Sequence, residues 1–90
     1  MRSYEKAIIC EPVRGEPHRF IWRSHVWQVS EIQRRWVEAV PWWLKSGANG
    51  SSRAVRQRTV WRVLAGSGQR QGVYDLACCE GEWSLIAAVD

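Results

Sequence analysis

Few side chains in this chain could do chemistry. There are two histidines, His18 and His25, three cysteines, Cys10, Cys78 and Cys79, and nine acids set against thirteen bases. In an extended hairpin His18 would face Glu31, an arrangement open to acid/base work but more commonly a plain cross-strand contact. A thiolate metal site would have to gather Cys10, one of Cys78 and Cys79, and a histidine from distant segments, and no Cys-x-x-Cys or His-x-x-x-His spacing supports one. The run Gly66-Ser67-Gly68-Gln69-Arg70-Gln71-Gly72 joins two β-prone runs instead of opening a helix, so it reads as a hairpin loop and not a phosphate cradle. Lys45-Ser46-Gly47 lacks the glycines that precede a Walker lysine, and no Gly-x-Ser-x-Gly elbow is present. These readings predict no enzyme activity, no metal and no cofactor.

What remains is binding, and charge is distributed unevenly for it. Residues 1–38 carry +2, residues 75–90 carry −4, and between them lie Lys45, Arg53, Arg56, Arg58, Arg62 and Arg70 without a single acid. Such a block either stays solvated or attracts phosphates. Seven tryptophans accompany it. Trp42 and Trp43 are adjacent, so an extended segment cannot turn both inward. One of them then caps the open end of a barrel, or stands beside Lys45 as a stacking platform or docking hot spot. Trp42, Trp43, Lys45, Arg53, Arg56 and Arg58 are the predicted binding residues.

The elements that must position these groups are predicted as strands. Ninety residues make one domain, 1–90, and the loop at 45–57, rich in Gly, Ser and Arg, is expected to be flexible. Glu5 to Val13 is β-prone and ends at a turn near Arg14-Gly15. In HRFIWRSHVWQVSE, a turn at Ser24-His25 would pair Trp22 with Trp27, Phe20 with Val29 and His18 with Glu31, gathering the large residues on one face. Residues 31–40 fit either a short helix capped by Ser30 or, favoured here, a strand continuing through a bulge near Ser30 that returns Ile32 and Trp36 to the inner face. The strands Arg58–Leu64, Gly72–Cys79 and Glu82–Val89 follow. The Glu80-Gly81 turn sets Cys78 opposite Trp83, Leu76 opposite Leu85 and Tyr74 opposite Ala87. Trp61 then opposes Leu76, Val63 opposes Tyr74, and Arg62 lies beside Asp75 on the outer face. Cys78 should be buried and Cys79 more exposed. The expected fold is all-β: an antiparallel meander of five or six strands forming an SH3-like barrel or a strongly curled sheet. The opening MRSYEKAII has no signal-peptide core and no apolar run could span a bilayer, so a cytoplasmic location and no membrane partner are expected.

The ordered aromatics carry a resemblance. Phe20-x-Trp22-Arg23, Trp27, Arg35-Trp36, Trp42-Trp43, Trp61-Arg62-Val63, Gly72-Val73-Tyr74 and the closing Gly81-x-Trp83-x-Leu85 with Val89-Asp90 resemble a small actinobacterial domain family of unknown function. Its members occur alone or beside, or fused to, Y-family polymerase-like proteins of DNA-damage mutagenesis. Where that family usually has a Gly-Arg turn this chain has Ser24-His25. The resemblance implies an accessory or adaptor role near DNA, with a protein partner such as a polymerase-like protein and weak affinity for nucleic acid. The alternative is a self-associating structural domain, a homodimer held by its basic middle and acidic end.

Overall fold

The computed structural model describes residues 2–40 and 56–89. These form seven strands and no helix: β1 (Arg2–Ala7), β2 (Ile9–Val13), β3 (Glu16–Trp22), β4 (His25–Val40), β5 (Arg56–Ser67), β6 (Arg70–Cys79) and β7 (Glu82–Ala88). No helix among the described residues is long and apolar enough to cross a membrane. All neighbours are antiparallel, in the order β1-β7-β6-β5-β4-β3-β2. The two outermost strands are consecutive in the chain, separated by Ile8 alone, whose N–H donates to the Trp83 carbonyl at 3.1 Å. Chain continuity therefore brings the two ends of the sheet together and curls it into a half-barrel. The N-terminal run, expected as one strand, is thus split at Ile8 between both ends, giving seven strands and not five or six.

Four hairpins have two-residue loops, closed by Val13↔Glu16, Trp22↔His25, Ser67↔Arg70 and Cys79↔Glu82. In three of them both loop residues have positive φ: Arg14-Gly15, Arg23-Ser24 and Glu80-Gly81. That is the type I′ geometry, whose twist matches that of the flanking strands. The Glu80-Gly81 turn is where the sequence placed it, and Cys78↔Trp83, Leu76↔Leu85, Trp61↔Leu76, Val63↔Tyr74 and Arg62↔Asp75 all follow. A register shift between Asp75 and Leu76 moves Tyr74 to Ala88, not Ala87. The Gly66–Gly72 run is mostly strand, with only Gly68-Gln69 left as the turn.

The first hairpin differs from expectation. Its turn is Arg23-Ser24, so Phe20 faces Trp27 and Trp22 faces His25; the expected Trp22–Trp27, Phe20–Val29 and His18–Glu31 pairs do not form. The register is displaced by two residues, which preserves alternation, so Phe20 and Trp27 still face the core. Glu31 instead opposes Leu64.

Residues 31–40 are strand throughout, and the bulge near Ser30 is present as a register shift between Val29 and Glu31. A second shift lies between Ile32 and Arg34. Each extra residue inverts the alternation once. Ile32 consequently packs on the core, whereas Trp36 passes to the opposite face, against the expectation that both would turn inward.

Phe20, Trp27, Trp61, Val63, Ala65, Leu76 and Leu85 form the buried core, with Trp22, Tyr74 and Trp83 packed partly against it. Phe20 stacks on Trp27 at 6.3 Å, and Tyr74 meets both edge-on at 6.0 and 5.2 Å. Each such ring pair adds about 0.5–1.5 kcal/mol beyond area burial, which matters in so short a chain.

Candidate nucleic-acid interface

The predicted binding residues divide according to what the structure describes. Trp42, Trp43, Lys45 and Arg53 lie outside the described residues, as does most of the expected 45–57 loop; Arg56 and Gln57 open β5. Arg58 is half-buried and committed within the domain. Its Nη2 lies 2.9 Å from Glu38 Oε1 and its Nη1 3.5 Å from Glu5 Oε2. Glu38 also accepts a 2.9 Å hydrogen bond from Trp36 Nε1. That bond, and the Arg58 guanidinium after it, hold the Glu38 carboxyl below its ordinary range.

The second bulge in β4 sets an arginine–tryptophan contact on each face of the paired β4 and β5 strands. It places Arg34, Trp36 and Glu38 on one face and Arg35 on the other, beside Arg62 and Trp61 of β5 respectively. The guanidinium groups of Arg34 and Arg62 both lie over the Trp36 ring, each 5.5 Å from its centroid, and that of Arg35 lies over Trp61 at 5.2 Å. An indole face attracts a cation and orients it without neutralising it. Arg34 and Arg62 are directly opposed like charges, which is unfavourable alone. Asp75 offsets one of them, accepting two hydrogen bonds from Arg62 at 2.8 and 3.0 Å. Arg34 and Arg35 are both exposed and, among the described residues, neither pairs with a carboxylate.

Sequence reasoning placed weight on the basic middle block and missed Arg34 and Arg35. The repeated Arg-Trp adjacency was a signal, but adjacent strand residues face opposite ways. The actual partners are two residues apart or on the neighbouring strand, and only the bulges decide which.

The thiols are differently placed from expectation. Cys78 and Cys79 are both half-buried, where the sequence suggested a buried Cys78 and a more exposed Cys79. The Cys79 Sγ donates to the Gln57 carbonyl at 3.5 Å. Cys10 packs against the core, and burial, with Cys78 nearby, pushes its thiol up to about 11. Among the described residues no group of three or more His, Cys, Asp and Glu side chains could hold a metal ion.

A further patch lies on the outer side of β2, β3 and β4. Ile9 opposes Ile21, which opposes Val26, and these side chains are 70%, 41% and 50% exposed. Beside them Arg19 Nε donates to Glu11 Oε1 at 3.1 Å.

The described residues thus form a small antiparallel half-barrel that carries an arginine–tryptophan contact on each face of β4 and β5. The chain belongs to a family catalogued as a domain of unknown function (DUF6504), whose model matches residues 2–90. No curated protein and no solved structure matches the chain.

Proposed function

We propose that this domain is a non-catalytic interaction module with weak, sequence-independent affinity for nucleic acid, acting as an accessory or adaptor in DNA repair or replication. The observation that carries the nucleic-acid reading is the pair Arg34 and Arg35: exposed, stacked on Trp36 and Trp61, and without a carboxylate partner among the described residues. Cations held this way are oriented yet still able to meet phosphates. Trp42, Trp43, Lys45 and Arg53 belong to the segment of the sequence between β4 and β5, outside the described residues. The adaptor role, with a polymerase-like protein as partner, rests on the resemblance to actinobacterial domains found beside Y-family polymerase-like proteins.

The test is single-stranded DNA binding by fluorescence anisotropy across a salt series, comparing wild type with the Arg34→Ala/Arg35→Ala variant. Removing two phosphate contacts should flatten the slope of log K against log salt by about 1.4. An unchanged slope in a folded variant would reject this surface.

A second reading, self-association, is favoured by the row Ile9, Ile21 and Val26. An apolar row with one acid and one base beside it can meet its own copy about a two-fold axis, Glu11 of one opposing Arg19 of the other. Sedimentation velocity of wild type and Ile21→Lys tests it. A dimer that the substitution dissociates supports the reading, and a monomeric wild type at high concentration removes it.

A further inference from the structure

The turns of the β3–β4 and β5–β6 hairpins lie at the same end of the half-barrel, because Gln28, Gly66 and Gln71 are in register across β4, β5 and β6. Between them is an open cleft of about 330 Å³. Its walls include the aromatic side chains of Trp22, Trp27 and Tyr74, and its rim carries Arg23, His25 and Arg70. Gln71 adds an amide, and among the described residues no carboxylate lines it. Trp27 is fixed in place, since its Nε1 donates to the Trp22 carbonyl at 3.2 Å and its ring packs edge-on against Tyr74. Arg23 lies over the Trp22 ring at 5.3 Å. Two further clefts among the described residues have different chemistry. One, of about 650 Å³, is lined by Glu5 and Glu82 as well as Arg58. The other is largely apolar around Ile9, Ile21 and Val26.

Three requirements can be read from the barrel-end cleft. The half-buried Trp22 and Tyr74 in the lining favour a planar ring, because ring stacking is effective for any base. The Arg70 guanidinium and the His25 imidazole, with no acid among the described lining residues, favour an anion and above all a phosphate, which arginine can grip with two parallel hydrogen bonds. The Gln71 amide both donates and accepts, as the polar edge of a base requires. The volume lies at the small end of the roughly 300–1,000 Å³ typical of ligand sites, which suits one nucleotide and not a helix or strand of a partner.

We infer that this cleft is a binding site for a single nucleoside phosphate, with the base against Trp22 and Tyr74 and the phosphate held by Arg70 and His25. The site is separate from the Arg34/Arg35 surface and does not rest on it. A nucleotide of a longer strand could occupy it, which would make the two sites parts of one path.

Isothermal titration with dTMP, thymidine, inorganic phosphate and O-phosphotyrosine tests the assignment on the whole chain. dTMP should bind at least about tenfold more tightly than thymidine or phosphate alone, because base and phosphate are held together. Arg70→Ala should weaken dTMP binding by about tenfold, in line with losing one charge-assisted contact, while leaving the melting temperature near wild type. Arg34→Ala/Arg35→Ala should leave dTMP binding unchanged. If that variant leaves DNA binding intact while dTMP still binds, the proposed surface fails and the cleft stands. Absence of heat with dTMP at millimolar concentration, equal binding of phosphate alone, tighter binding of O-phosphotyrosine, or an Arg70→Ala variant with wild-type affinity would each overturn the inference.

Discussion

Arg62 and Asp75 form a doubly hydrogen-bonded charge pair whose two halves are unequally buried. The Asp75 side chain is 5% exposed and that of Arg62 27% exposed. Removing Arg62 strands a carboxylate in the interior, whereas removing Asp75 strands a guanidinium that still reaches water and still lies over Trp36. Loss of one partner from a buried pair costs about 3–5 kcal/mol. Arg62→Ala should therefore cost about 3 kcal/mol, a drop in melting temperature of about 12–24 °C for a domain of this size. Asp75→Ala should cost about 1–2 kcal/mol, because the exposed guanidinium can be rehydrated. Replacing both by leucine should cost less than the two single alanine changes added together, since no charge is then left alone. Urea unfolding of the three variants, followed by tryptophan fluorescence with m-values compared, gives the free energies, and thermal unfolding gives the melting temperatures. An Asp75→Ala variant as damaged as Arg62→Ala would refute the reasoning, because burial would then not be what sets the cost.

Ser24 adopts φ 65° in the β3–β4 turn, where a side chain is strained, so Ser24→Gly should stabilise the domain by about 0.5–1 kcal/mol in thermal unfolding, despite the greater freedom glycine has when unfolded. With its thiol pushed up to about 11 against an ordinary 9.0, Cys10 should react with iodoacetamide at pH 8 about tenfold more slowly than an unperturbed thiol, the scarcer thiolate being partly offset by its greater nucleophilicity, as judged by mass spectrometry of the labelled peptides. Glu38 has its carboxyl lowered from an ordinary 4.5, first by Trp36 and then by Arg58. Its stabilising contribution is thus present above about pH 4.5 and lost as the pH falls through its lower folded value, so the difference in melting temperature between wild type and Glu38→Gln should close in acid.

The C-terminal half of the fold was legible because Glu80-Gly81 is a turn whose chemistry is local. Once it is placed, the β5, β6 and β7 partners from Trp61 to Trp83 follow by counting, apart from the shift at Asp75 that displaces Tyr74. The β3–β4 turn was not legible, since Arg23-Ser24 carries no glycine and takes positive φ only in the context of the hairpin. A two-residue error there leaves the faces correct and the partners wrong. The bulge near Ser30 could be inferred from the switch of Val29 and Ile32 between odd and even positions. The second, before Arg34, left no such mark, because both Trp36 and Arg35 have reasons to lie on either face. That bulge is what sets Arg34 against Trp36 on one face and Arg35 against Trp61 on the other, so the candidate site was the least legible part. The splitting of the N-terminal run at Ile8 is likewise a tertiary event, decided by the closeness of the two sheet ends.

The most direct test of the central claim is the binding of the wild-type domain to a single-stranded DNA of roughly 20 nucleotides, measured by fluorescence anisotropy over a range of salt concentrations. Arg34 and Arg35, which have no carboxylate partner among the described residues, predict weak binding at low salt and a straight log-log plot with a slope of about −1.4 or steeper, as counterion release requires. A flat isotherm at the lowest salt, or an affinity that does not change with salt, would contradict the account and leave this surface without a role in holding nucleic acid.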